Sequence, residues 1–361
     1  MIATVVAADL PIDEKLIIQK NRLQRKEVTG QEKRISIVTG LYGDELDGQY
    51  ICYELIRRIN ANKKYLKGIV DIFPACNPLG LASTTRGVPM FELDMNRIFP
   101  GSEKGTTIEY VAAKLVDDII GSDLCIDIHS SNIFLMETPQ VRISEVTAEA
   151  LVPIAKKINA DFVWVHASAT VLESTLAHSL NTLGVPTLAV EMGVGMRIQK
   201  AYGDQLVEGI FYIMHEMGMW DGSVERPKEP IVSTDGSVSI VRAGVSGVFV
   251  PEIQHGEEVK KGQPIGSIVD SMSGDVNEIV LAPETGFVFP AFSERSTDIH
   301  SAIFYTKNTK EPHREMMEEF LGCPAKRTAT IQKTVFENLV QHAIDENPEA
   351  SEATLMDIQS D

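Results

Sequence analysis

Three short segments carry the residues best suited to chemistry: Gly40-Leu41-Tyr42-Gly43-Asp44-Glu45, Asp127-Ile128-His129 and Val190-Glu191-Met192-Gly193. Each places carboxylates or an imidazole directly after a run that reads as a buried β-strand. Ligand sites of open parallel sheets lie at the carboxyl ends of the strands. Three such ends offering Glu45, His129 and Glu191 point to one hydrolytic metal centre. Taken singly, these residues decide less. Glu45 follows a glycine turn and opens a helix, where it could serve only to face the positive end of the helix dipole. Asp127 and His129 are two apart on one strand and project to the same face, as a metal-binding pair or as a hydrogen-bonded structural histidine. Glu191 ends an otherwise apolar strand; a carboxylate there must be paired, metal-bound or functional, because burying it alone is costly. A fourth segment runs from Asn77-Pro78 through Arg86 to Asp94-Met95-Asn96-Arg97-Ile98-Phe99-Pro100-Gly101. Its arginines and asparagine suit planar recognition of a carboxylate.

The elements that must position these residues alternate. Arg34–Thr39, Gly68–Phe73, Leu124–Ile128, Phe162–Val165 and Thr187–Val190 read as strands; Gly48–Ile59 and Thr106–Ile120 repeat apolar residues at helical spacing. Alternation of this kind predicts an α/β domain with a largely parallel central sheet, within residues 1–220. Residues 221–236, rich in Pro, Gly, Ser and charge, read as a linker. Short β-like runs broken by Gly and Pro predict a small all-β barrel or sandwich over 237–306. The remainder, 307–361, has helical character before an acidic, polar end expected to be disordered.

The 361 residues are 43% hydrophobic and 23% charged, with a formal charge of −18. That balance argues against sequence-independent nucleic-acid binding and against docking on anionic membranes, both of which depend on Lys and Arg. No apolar run approaches the roughly 18 residues a membrane span needs. The N-terminal residues lack the basic region of a signal peptide. Cys52, Cys76 and Cys125 sit among apolar neighbours, with no CxxC pair in the chain, and read as buried reduced thiols. A cytoplasmic location is the expectation.

Together, the turn, the Asn-Pro…Arg string, the Asp-x-Asn-Arg-x-Phe-Pro-Gly string, the Asp-x-His strand end and the late Glu resemble the succinylglutamate desuccinylase/aspartoacylase family. These zinc hydrolases share the catalytic domain of the M14 metallocarboxypeptidases. The resemblance covers roughly residues 30–220, and the later β-rich part is similar to the lipoyl-like module appended to many members. It implies a zinc-carboxypeptidase-like α/β fold, a mixed, largely parallel sheet flanked by helices, and one zinc ion. Glu45 and His129 fall on two of the zinc-ligand positions, with Tyr42 standing where the family carries its first zinc-binding histidine. Arg86 falls on the residue that stabilises the oxyanion, Asn96 and Arg97 on the pair that holds the substrate carboxylate, and Glu191 on the general base. The implied activity is removal of an N-acyl group from an amino acid or similar small carboxylate.

Tyr42 departs from that pattern, because a phenol with pKa near 10 is a poor zinc ligand unless the metal ionises it. Three arrangements remain open. Asp44, His166 or His178 completes the metal site; Tyr42 ligates as phenolate; or the chain is a metal-free binding or regulatory protein that retains the acyl-amino-acid pocket. The β-rich module has no lysine at the tip of Val269–Val276 and so no place for lipoyl or biotinyl attachment. It would shape the mouth of the site or mediate assembly into a homo-oligomer.

Overall fold

The computed structural model describes residues 1–306 other than 11–12, 92, 134, 168–172, 235–236, 255, 289 and 293–302; the C-terminal extension expected over 307–361 lies outside the described residues. In chain order the large sheet and its helices are β1 (Ile2–Asp9), β2 (Lys15–Leu23), β3 (Arg34–Thr39), α1 (Asp47–Ala61), β4 (Ile69–Phe73), α2 (Pro78–Ser83), α3 (Thr107–Ile119), β5 (Leu124–Ser130), β6 (Leu135–Ser144), α4 (Ala148–Ala155), β7 (Phe162–His166), α5 (Leu176–Thr182), β8 (Thr187–Gly193), α6 (Lys200–Glu216) and β9 (Ile231–Thr234). The strand order is β1-β2-β4-β3-β5-β8-β6-β7-β9. Strands β4, β3, β5 and β8 run parallel, and β6 turns back antiparallel to β8 before β7 and β9 follow it in parallel. The parallel strands are those the alternation predicts, and the whole is the mixed, largely parallel sheet flanked by helices that the resemblance implies.

Strands β3, β5 and β8 are buried along almost their whole length because helices cover both faces, which is why they read as largely apolar runs. One face packs Ile35, Ile37, Ile126, Ile128, Leu188 and Val190 against Ile51, Leu55 and Ile59 of α1 and Leu206, Val207 and Ile210 of α6. The other packs Val38 and Cys125 against Ile108, Val111 and Leu115 of α3 and Leu176 and Leu180 of α5. Thr106 and Glu109 close a reciprocal cap at the start of α3. The hairpin β1–β2 is held to β4 by ion pairs: Lys20 and Arg22 reach Asp71 at 3.2 and 2.6 Å.

Strands β10 (Val238–Ile240), β11 (Val248–Pro251), β12 (Glu258–Val259), β13 (Pro264–Val269), β14 (Val276–Leu281), β15 (Gly286–Val288), β16 (Pro290–Phe292) and β17 (Ile303–Thr306) follow. They form a four-stranded sheet, β10-β17-β15-β12, and a three-stranded one, β11-β13-β14. Val259, Ile265, Ile268, Val280, Ala282 and Val288 make their core. Among the described residues two strand pairings bind this part of the chain to the large sheet. β9, inside the stretch read as a linker, pairs with β7, and β16 pairs with Leu135–Glu137 at the start of β6. Among the described residues no helix is long and apolar enough to cross a membrane.

Candidate active site

The turn after β3 is fixed by close backbone packing. Gly40 takes φ +69°, a conformation that favours glycine. A Cβ on Gly43 would lie 1.9 Å from the carbonyl carbon of Gly80 on α2. Asn77 locks the same contact: its Oδ1 accepts from Gly80 N at 2.9 Å, and its Nδ2 donates to the carbonyl oxygens of Leu41 and Gly87 at 3.3 and 3.0 Å. The Asn-Pro motif thus caps α2 and holds the turn, which delivers Glu45 to the end of β5.

There Glu45 meets His129. Its Oε2 accepts from His129 Nδ1 at 2.9 Å and from Ser130 N at 3.1 Å. The opposite ring nitrogen, Nε2, lies 3.2 Å from Asp127 Oδ2 and 3.5 Å from Asn96 Nδ2. A carboxyl group thus faces each ring nitrogen, an arrangement that favours the doubly protonated ring. Burial alone would lower its pKa, but the charges of Asp127 and Glu45 raise it well above the usual histidine range. Burial pushes the Glu45 carboxyl up. Glu191 pairs in register with His129 across β5 and β8, so their backbones stand about 4.8 Å apart. Glu191 keeps 21% of its side chain exposed, with Arg142 Nη1 3.9 Å from its Oε1. Glu45, His129 and Glu191 therefore converge at one sheet edge.

Tyr42, Arg86, Asn96 and Arg97 gather beside them. The Tyr42 hydroxyl donates to Asp94 Oδ2 and accepts from Arg97 Nη1, each at 3.2 Å. The Arg86 guanidinium lies 3.6 Å over the Tyr42 ring and extends Nη1 to within 3.8 Å of Glu45 Oε1. Asn96 is buried, its Oδ1 accepting from Leu176 N at 2.8 Å. Burial raises the Tyr42 pKa, and the phenol keeps its proton.

Catalytic zinc takes three protein ligands and leaves one position open. Glu45 and His129 supply two donors. Asp127 faces the other ring nitrogen and cannot share an ion with Glu45 through His129. His166 pairs in register with Ser144, several residues along β6 from Gln140, the partner of Glu191, and so belongs to the opposite end of the sheet. No three His, Cys, Asp or Glu side chains among the described residues, Asp44 and His178 included, gather where an ion could sit. With Tyr42 a neutral phenol between Asp94 and Arg97, the described residues fit zinc at two positions and not at the third.

Three further residues at this site have no counterpart among those the sequence singles out: Glu137, Gln140 and Arg142 on β6. Arg142 Nη2 bonds Glu137 Oε1 at 2.8 Å and so stands between Glu137 and Glu191. Gln140 lies directly opposite Glu191. Their sequence signal was a Gln-x-Arg pair with the same two-residue spacing as Asp127 and His129.

The family model of the succinylglutamate desuccinylase/aspartoacylase catalytic domain matches residues 31–217. A domain of unknown function, DUF4317, matches residues 269–361. The chain is 24% identical over 270 residues, 73% of this chain and 78% of the relative, to the N-alpha-acetyl-L-2,4-diaminobutyric acid deacetylase of Halomonas elongata. Its fold is similar to the product-bound ectoine utilization protein EutE (DoeB) from Ruegeria pomeroyi, with a TM-score of 0.70 and 20% identity over 84% of this chain and 95% of that one. It is also similar to a succinylglutamate desuccinylase/aspartoacylase from Rhodobacter sphaeroides, with a TM-score of 0.68 and 22% identity over 84% and 96%.

Proposed function

Because this chain belongs to the succinylglutamate desuccinylase/aspartoacylase family, we propose that it is a deacylase, hydrolysing the amide bond between an acyl group and an amino acid or similarly small carboxylate. The observation that carries this reading is the meeting of Glu45, His129 and Glu191 at adjacent strand ends, with the Arg86 guanidinium alongside. Asn96 and Arg97 would hold the substrate carboxylate, Arg97 through the edge of its guanidinium turned away from Tyr42. Arg86 would offer its charge to the oxygen that becomes negative as water adds to the acyl carbon. Glu191, reachable from solvent, would take a proton from that water and pass it to the leaving amine.

Zinc is the finer part of the reading. Glu45 and His129 are the residues that would hold it, and a bound ion would lower the pKa of water and polarise the acyl carbonyl. The arrangement of Tyr42 favours a second reading, in which the chain binds N-acyl amino acids without hydrolysing them. One experiment separates the two. Wild-type protein, purified without chelator and analysed for metal, is assayed against a panel of N-acetyl and N-succinyl amino acids with and without added zinc. Release of free amino acid that disappears in Glu191→Gln supports the hydrolase. Saturable binding with no release under either condition overturns it in favour of the binder.

A further inference from the structure

Beside Glu191 the sheet face holds four buried polar atoms with no hydrogen-bond partner among the described residues: Asp127 Oδ1, Arg142 Nε, and both Oε1 and Nε2 of Gln140. Strand register brings them together. His129, Glu191 and Gln140 form one row across β5, β8 and β6, and Asp127, Ala189 and Arg142 form the next. Residues directly opposite on paired strands share a face and lie about 5 Å apart at Cβ. Ala189, in the middle of β8, is part-exposed although Leu188 and Val190 on either side are fully buried. The face is therefore part-exposed at Ala189, between Asp127 on one side and Arg142 on the other, with Gln140 two residues from Arg142 along β6.

Such a group of atoms is costly to bury unsatisfied, and the cost is removed by a ligand that matches it. Two of the four atoms are acceptors, Asp127 Oδ1 and Gln140 Oε1; two carry donors, Gln140 Nε2 and Arg142 Nε. A primary carboxamide has two N–H bonds and a carbonyl oxygen with two lone pairs, so in number and kind its groups match these four. Charge selects in the same direction. Arg142 already stands between Glu137 and Glu191, and Asp127 lies on the other side of Ala189, so an anionic side chain meets carboxylates without a free counter-charge. An ammonium would leave both donors unmatched. Resting on the reading of this site as a deacylase pocket, we propose that Asp127, Gln140 and Arg142 select substrates bearing a primary carboxamide, as a terminal group of either the amino acid or the acyl half.

The test is calorimetric binding to the full-length Glu191→Gln protein, so that no ligand is consumed. One arm compares N-acetyl-L-glutamine with N-acetyl-L-glutamate and N-acetyl-L-lysine, placing the carboxamide on the amino acid. The other compares N-succinamoyl-L-alanine with N-succinyl-L-alanine, placing it on the acyl group. A carboxamide preference of about tenfold or more in either arm is expected, since a site built to hydrogen-bond a polar group discriminates strongly against its absence. The arm that shows it names the half of the substrate. Gln140→Leu should bring the ratio close to one, and Gln140→Glu, which keeps the side chain's shape, serves the same purpose if the leucine variant does not fold. Equal affinities in both arms, no carboxamide binding, or a preference that survives loss of the Gln140 amide would overturn the assignment. Carboxamide-selective binding by a wild-type protein that releases no product would leave the pocket standing and remove the hydrolase reading instead.

Discussion

Arg86 lies flat on Tyr42, its guanidinium carbon 3.6 Å from the ring centroid, while the Tyr42 hydroxyl is held between Asp94 and Arg97. Tyrosine in this place therefore carries a cation on its face, which an imidazole bound to a metal would not do. Cation–π stacking of this kind contributes about 0.5–1 kcal/mol at a partly exposed site. Tyr42→His should complete a set of two imidazoles and one carboxylate and raise zinc retention by about tenfold or more. Metal analysis after dialysis checks this, with wild type as reference. A wild-type protein that already keeps a full equivalent of zinc would contradict the two-donor description.

Glu191→Gln should cut the rate of deacylation by about 10² to 10⁴ while leaving KM little changed, because the amide keeps the shape of the side chain but cannot accept the water proton. Steady-state kinetics with any turned-over N-acyl amino acid decides the matter. Undiminished kcat would reassign the base.

The turn that delivers Glu45 depends on the absence of a side chain at Gly43. A methyl group there would collide with the Gly80 carbonyl, backbone against backbone, where no rotamer change gives relief. Gly43→Ala should cost about 3 kcal/mol of stability, read as a lower urea midpoint. Its loss of activity should exceed its loss of folded fraction, since the turn shifts as well.

Much of this architecture was legible in the chain, and the parts that were not share a cause. Strands β3, β5 and β8 announced themselves because both faces are buried, so their sequences are largely apolar. Strand β6 did not, because Glu137, Pro139, Gln140 and Arg142 interrupt its apolar residues. Lys20 likewise obscured β2, an inward-facing charge made tolerable by Asp71 from β4 and Asp118 from α3. Glu45, His129 and Glu191 could be picked out one at a time, each next to an apolar run. The Asp127, Gln140 and Arg142 grouping could not, because it exists only through the register of β6 against β8, which no local pattern encodes.

The buried cysteines give a pH dependence. Burial pushes the Cys52 thiol from its ordinary value near 9 up to about 12, and raises Cys76 and Cys125 as well. The folded chain thus holds these protons where the unfolded chain has released them. Their effect is absent below about pH 9, and stability falls as pH rises from there toward 12, by at most about 1.4 kcal/mol per unit for each thiol. Urea unfolding of wild type and Cys52→Ala across that range should show a shallower decline for the variant. Iodoacetamide at pH 8.5 should leave Cys52, Cys76 and Cys125 unmodified until the chain is unfolded.

Strand β16 leaves the small β-rich part of the chain to hydrogen-bond with Leu135–Glu137, the residues that lead into Gln140 and Arg142. A gene trimmed after Trp220 would discard that splint together with β9, stripping backbone partners from β6 and β7 at once. Laboratories wishing to shorten this protein should therefore treat β9 and β16 as backbone support for β7 and β6 and not as removable cargo.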